Sequence, residues 1–362
     1  MMGPLRALVL AAALAPSALA APFDARALPA CGDVYFQARQ GAPPPRGCAL
    51  EGERTYRPRY EGLAYEILDL ESEACFVSDD SYRLLDRIMD EIHAEIGALG
   101  FARGDAPTAA LLNRMGEITV DALVRNGFRL YIGTRTIGDA LTAREAGAQH
   151  YYPFDCDIGA LILLTVAQHY GVPGWLVEIR LSEQDTHNYV RWALAGGEIM
   201  DWDTNARGPC ATRGEHPPWQ GRAWSHDEVV AYILSIRAGT WRKQNASDRE
   251  LADLQRAMEL APAHPNAFNN YAWLVATRPL ADRAEHAARA HAAALHAISL
   301  ERSGNYLDTL ACVVALRGDF PRAAAIEREA LQLVRSYATA QQFRDRIARF
   351  TASPPRDCTG DD

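Results

Sequence analysis

The chain has 362 residues, 37 Lys and Arg against 46 Asp and Glu for a net charge of -9, and seven cysteines. That length suffices for two domains, or one large domain with an appendage. With 48% hydrophobic and 23% charged residues it reads as neither disordered nor, beyond its first residues, membrane-spanning. The acidic balance argues against the phosphate-neutralising surface that nucleic-acid binding needs.

Residues 1–20 read as a signal peptide: Arg6, the apolar run 7–15, and Ala18-Leu19-Ala20 as an A-x-A processing site. The mature chain is then exported, periplasmic or secreted. In that setting cysteines tend to pair, and an odd count leaves one thiol to be explained. Residues 21–75, with Pro43-Pro44-Pro45 and Cys31 and Cys48, read as an irregular Cys-containing N-terminal arm. Asp79-Asp80-Ser81 opens an amphipathic helix pattern through Leu84, Leu85, Ile88, Ile92, Ile96 and Leu99, closed by Gly100. A second runs from Pro107 through Leu111, Leu112, Met115, Ile118 and Leu123 to Gly127.

After a loop at 128–154, Asp155-Cys156-Asp157 starts an apolar run closed by Gly171 and Pro173. Its apolar residues surround it, which predicts a buried central helix. Strand patterns follow at 175–181, 187–194 and 198–204, the last two joined by Ala195-Gly196-Gly197. Helices, a central helix and an antiparallel meander make residues 76–240 an α+β domain.

Residues 245–352 are Ala-rich with helical periodicity. Aligning Ala272 with Ala311 gives a spacing of 39, near the 34-residue period of tetratricopeptide repeats. Gly318, Phe320, Ala323 and Ala330 fall at that repeat's small and aromatic positions, and Glu327 stands where an aromatic is usual. The segment resembles tetratricopeptide repeats with a closing helix around 338–350, followed by a tail at 353–362.

Cys156 occupies the first turn of the central helix, where unpaired N–H groups and the helix dipole favour a thiolate and can stabilise an oxyanion. A cysteine nucleophile needs a base within hydrogen-bond reach and a group to orient that base. His169 is thirteen residues along the same helix, roughly 20 Å away at 1.5 Å per residue, and is excluded as the base. His187, at the start of a strand, can lie over Cys156. If the connection is the three residues 195–197, Arg191 stands opposite Asp201 and Tyr189 opposite Asp203, with both Asp on the His187 face, whereas a two-residue Gly-Gly turn would shift the register by one and put both on the other face. In the three-residue register Arg191 occupies Asp201 as a cross-strand ion pair. Asp203 is the orienting carboxylate and Asp201 the reserve.

Cys156 opening an apolar helix, Gly171-Val172-Pro173 before a strand, His187-Asn188-Tyr189-Val190-Arg191-Trp192, and Asp201-Trp202-Asp203-Thr204 together resemble the transglutaminase-like superfamily, whose fold is related to papain-type cysteine proteases. The resemblance covers roughly residues 80–207 and is closest to bacterial members carrying tetratricopeptide repeats. It implies Cys156 as nucleophile, His187 as general base and acid, and Asp203 as orienter. It implies hydrolysis or acyl transfer at peptide or amide bonds, with no cofactor. For oxyanion or substrate contacts it offers only the candidates Tyr151, Tyr152 and Gln149. Asp155, Asp157, Asp201 and Asp203 lack the alternation of a calcium loop, and Cys156 and His187 have no close ligand pair to seed zinc, so no metal is expected. The partners expected are a peptide or protein substrate and a protein bound by the repeats. The competing expectation is an inert scaffold of the same fold whose repeats bind a protein.

Overall fold

The computed structural model describes residues 28–34, 39–40, 55–74, 77–132, 136–146, 149–182, 185–213, 219–280 and 282–361. The signal peptide, the Pro43-Pro44-Pro45 run, Cys48 and Cys75 lie outside them. The fold is mixed α+β with an all-helical C-terminal part. In chain order come β1 (Arg39–Gln40), α1 (Leu63–Glu71), α2 (Asp79–Ala98), α3 (Ala109–Arg125), β2 (Phe128–Ile132), α4 (Ile137–Ala140), β3 (Arg144–Ala146), β4 (Gln149–Phe154), α5 (Cys156–His169), β5 (Gly174–Arg180), β6 (Thr186–Ala193), β7 (Ile199–Asp203) and β8 (Gly208–Cys210). Then follow α6 (His226–Lys243), α7 (Ser247–Leu260), α8 (Pro265–Thr277), α9 (Arg283–Leu300), α10 (Gly304–Leu316), α11 (Phe320–Leu333) and α12 (Tyr337–Thr351). The strands form two sheets, ordered β1-β2-β4-β3 and β5-β6-β7-β8.

The second sheet and α5 form the framework of the site. Asp155 caps α5, its side chain accepting from the Ile158 N–H at 3.4 Å, and Gly171 at φ +71 ends the helix run ahead of Pro173. Ile158, Leu161, Ile162, Leu163, Leu164 and Val166 are all buried, so the helix is enclosed. On one side it meets Leu176, Val190, Trp192, Met200 and Trp202 of the sheet. On the other α1 docks, with Ala64 N–H donating to Thr165 Oγ1 at 2.8 Å and Leu63 N–H to Gln168 Oε1 at 2.8 Å. Gly159 permits a close approach of helix to sheet, since a Cβ there would stand 2.8 Å from Thr204 Oγ1.

The predicted strand register is present: Arg191 pairs with Asp201 and Val190 with Trp202, and Leu194 N–H donates to Glu198 O at 2.8 Å across the turn. Alternation therefore places Asn188, Val190 and Trp192 toward α5, and His187, Tyr189 and Arg191 on the opposite face. That opposite face carries its own small apolar cluster, Val177, Ile179 and Tyr189 with the Cys31–Cys210 disulfide.

Three segments differ from expectation. The 128–154 region is not a loop but supplies β2, α4, β3 and β4. β4 is hard to read because its first half pairs antiparallel with β3 and its second half, including Pro153, parallel with β2. The N-terminal arm is not irregular throughout, because α1 lies within it. That helix starts at Gly62, φ +128, with no side-chain cap to announce it. β8 adds a short edge to the meander beyond Asp203.

The C-terminal part is built of helical hairpins. α8 and α10 are each 13 residues long and start 39 positions apart, at Pro265 and Gly304, each followed by a longer partner. α6 belongs to both parts: Val229 and Ile233 enter the core around α5, while Ala231, Leu234 and Ala238 enter the core of the hairpins. Arg237 of α6 binds Asp253 of α7 through two bonds of 2.8 and 2.6 Å. The seam between the parts also holds an Arg180–Glu301 ion pair and the ring of His264 against Trp219 and Trp224, at 4.6 and 4.8 Å. Cys312 of α10 is joined to Cys358 by a disulfide. No helix among the described residues is long and apolar enough to cross a membrane.

Candidate active site

His187 opens β6 and Asp203 closes β7, and the register brings their side chains together on one sheet face. His187 Nε2 lies 2.9 Å from Asp203 Oδ2, and both side chains are fully buried. The same Oδ2 accepts the Gly32 N–H at 2.9 Å, and Oδ1 accepts from the N–H groups of Asn205 at 2.8 Å and Ala206 at 3.4 Å. Burial alone raises the pKa of Asp203. His187 and the N–H groups of Gly32 and Asn205 outweigh it and hold the carboxyl below the usual carboxylate range. An ionised Asp203 accepting from Nε2–H fixes the histidine tautomer, so any proton exchange by the ring runs through Nδ1.

Gly32 belongs to a turn that the Cys31–Cys210 disulfide ties to the end of β8. It adopts φ +86, and a Cβ there would press on Leu181 at 2.9 Å and stand 3.4 Å from His187 Cδ2. A segment 171 residues before Asp203 thus completes its hydrogen-bond shell. Period-two alternation could not have located that contact. The cysteine count was the one available signal, without the pairing.

Asp201 lies on the same face but is committed elsewhere. Arg191 grips it through Nε to Oδ1 at 2.6 Å and Nη2 to Oδ2 at 2.8 Å, and Thr212 Oγ1 donates to Oδ2 at 2.7 Å. Of the two carboxylates the structure brings Asp203, and not Asp201, to His187.

Cys156 is buried at the start of α5, packed on Ile132 and Leu181, and is the free cysteine among the described residues. The backbone N–H of Asn188, the residue after His187, favours the ionised form of its sulfur. The expectation that the helix start favours a thiolate is overturned. Burial first, then the charges of Asp157, Asp155 and Asp203, push the thiol well above its usual pKa, and the Asn188 N–H only partly opposes them.

No family model matches this chain, and no curated protein does.

The tyrosines and glutamine proposed for substrate contacts all lie on β4, engaged with neighbours in their own sheet. Tyr151 stacks on Tyr131 at 5.4 Å under the Arg129 guanidinium, Tyr152 on Phe128 at 5.0 Å, and Gln149 Oε1 accepts from Arg129 Nη2 at 3.0 Å. From that sheet the side chain packed on Cys156 is Ile132.

Several groups around the sulfur stand outside the Cys-His-Asp set expected from the sequence. Asp157 Oδ1 lies 3.6 Å from Cys156 Sγ, and its carboxylate is bound by Asn188 Nδ2 and by Tyr232 Oη at 2.6 Å. Glu178 of β5, paired with Asn188, is buried, and burial together with Asp157 pushes its pKa up to about 8. In sequence Asp157 passes for an ordinary acidic residue in a first turn, and Asn188 for a strand residue beside the histidine. Among the described residues no group of three or more His, Cys, Asp or Glu is placed to hold a metal ion.

Proposed function

We propose that the protein is an exported cysteine hydrolase or acyltransferase of transglutaminase-like type, acting on peptide or amide bonds through Cys156, His187 and Asp203. Its C-terminal hairpins, read as tetratricopeptide-type repeats, would bind a protein partner. The observation that carries this reading is the fully buried His187–Asp203 pair, together with a free, buried Cys156 thiol at the start of α5 whose ionised form is favoured by the N–H of Asn188, the residue after His187. A buried imidazole on a carboxylate is costly as a structural filler and is the arrangement that orients a base.

In the reaction the Cys156 proton passes to His187 Nδ1 and the sulfur attacks the carbonyl carbon. N–H groups of the first turn of α5 take the oxyanion. His187 then protonates the leaving amine, and water, or a second amine, releases the acyl group from the thioester with His187 again as base. A neutral resting thiol requires that base, because little thiolate forms without it.

A second reading, an inert scaffold of the same fold, draws support from the burial of Cys156 and its raised thiol pKa. Acylation by an activated ester such as p-nitrophenyl acetate distinguishes the two. An acyl group found on Cys156 and absent from C156S and H187A supports the enzyme. Failure to acylate, or a count of zero free thiols in the mature protein, leaves the scaffold.

A further inference from the structure

Beside the sulfur stands a carboxylate that the acyl-transfer scheme does not use. Asp157 Oδ1 is 3.6 Å from Cys156 Sγ, within reach of the thiol proton. It is anchored from two other elements, by Asn188 Nδ2 on β6 and Tyr232 Oη on α6. Its oxygens thus face an amide N–H, a phenol O–H and a thiol S–H. All three are donors, the surroundings of an acceptor-only carboxylate. The Asn188 backbone N–H favours the ionised sulfur while its side chain holds the carboxylate, so one residue of β6 bears on both members of the pair.

We propose that Asp157 is a positioning residue that parks the Cys156 proton: the resting site is a neutral thiol donating to Asp157, and not a thiolate–imidazolium pair. Its catalytic consequence rests on the acyl-transfer reading. During attack the S–H bond breaks, the proton moves to His187 Nδ1, and the sulfur electron pair forms the bond to the carbonyl carbon, while Asp157 keeps its charge throughout. The side chain that holds the proton is therefore not the one that removes it, and attack requires the S–H to turn from Asp157 to the ring. The other groups bearing on the sulfur are Asp155 at the cap of α5, the Asn188 N–H on β6, Asp203 on β7 and Tyr232 on α6, with Glu178 on β5 acting on Asp157. Burial and the three aspartates all oppose the thiolate, and Asp157 is the one in contact with the sulfur.

The test is the pH profile of Cys156 alkylation by iodoacetamide in the full chain, with the infrared S–H stretching band read alongside. D157N should move the rate midpoint down by about one pH unit or more, tenfold in thiolate fraction. The S–H band should lose its hydrogen-bonded displacement. Y232F, which loosens the carboxylate, should shift the midpoint the same way by less. A purely structural role would alter rates without moving the midpoint. A D157N midpoint that stays or rises, or a wild-type thiol titrating below pH 7, overturns the proposal. Should D157N not fold, Y232F and N188A carry the test, and unmoved midpoints in both overturn it equally. Ester acylation in the same samples separates the two ideas. A shifted D157N without acylation of any variant leaves the thiol–carboxylate pair and removes the acyl-transfer reading. Acylation of the wild type with an unshifted D157N does the reverse.

Discussion

Replacing Asp203 by Asn tests the site most directly, because the structure specifies what the amide cannot do. The carboxylate accepts four N–H groups, Gly32 and His187 on Oδ2 and Asn205 and Ala206 on Oδ1. An amide has one acceptor oxygen. With that oxygen toward His187, its NH2 confronts the N–H groups of Asn205 and Ala206. With the NH2 toward His187, it confronts the Gly32 N–H and obliges Nε2 to accept, which moves the ring proton to Nδ1 and disables the base. One or two buried donors are left unpaired in either orientation, at about 1–3 kcal/mol each. The imidazolium formed during attack loses its counter-charge as well. We expect D203N to lose about 2–5 kcal/mol in denaturant unfolding and about 10³- to 10⁴-fold in the rate of Cys156 acylation by p-nitrophenyl acetate. D201N removes the partner of Arg191 without touching His187, so it should lose stability while acylating at a rate of the same order as wild type. A D203N protein that acylates within about tenfold of wild type, a barrier difference of only about 1.4 kcal/mol, would refute the reasoning.

Gly159→Ala should cost about 1–3 kcal/mol, since its Cβ meets Thr204 at 2.8 Å, whereas Gly97→Ala on α2, with nothing within 4 Å, should gain about 0.5–1 kcal/mol. Thermal melts of the two variants decide this, and an equal effect from both would contradict the close helix–sheet approach. Burial pushes His264 down to about 4 from an ordinary 6.5, so the unfolded chain binds the extra proton between those values and the ring's contribution to stability is lost as pH falls from 6.5 through 4. His264→Phe should therefore flatten that part of the stability–pH curve relative to wild type, and an unchanged slope would count against the buried neutral ring. Replacing Cys31 and Cys210 by Ser frees a loop of 179 residues, worth about 5 kcal/mol of chain entropy, and unclamps Gly32 from Asp203. Acylation should fall together with the denaturant midpoint, and full activity in the double variant would show that the clamp is dispensable.

What was legible in the sequence followed from periodicity. α2, α3 and α5 stand where capping residues and apolar spacing put them. The three-residue turn at 195–197 carried the register that separates Asp203 from Asp201. What was missed depends on long-range packing. α1 has an uncapped start and is held by Thr165 and Gln168 of α5, far along the chain. β4 divides its pairing between two strands, so neither half shows a long alternation. The Gly32 clamp exists only once Cys31 meets Cys210. A helix start by itself favours a thiolate at Cys156, but burial, which the local sequence does not show, and then Asp157, whose carboxylate faces the sulfur, push the thiol the other way. Glu327, read as standing at an aromatic position, is fully buried beside Asp308, so the hairpins hold a carboxyl pair where a ring was expected.

α6 has no single owner. Val229 and Ile233 serve one core, and Ala231, Leu234 and Ala238 serve the other. A chain stopped after residue 244 would carry a bare apolar stripe, and one begun at 245 would lack the wall on which α7 closes. The helix behaves as a shared beam, so the two parts are set to fold and fail as one cooperative unit, and whatever loads the hairpins also pulls on the element that carries Tyr232.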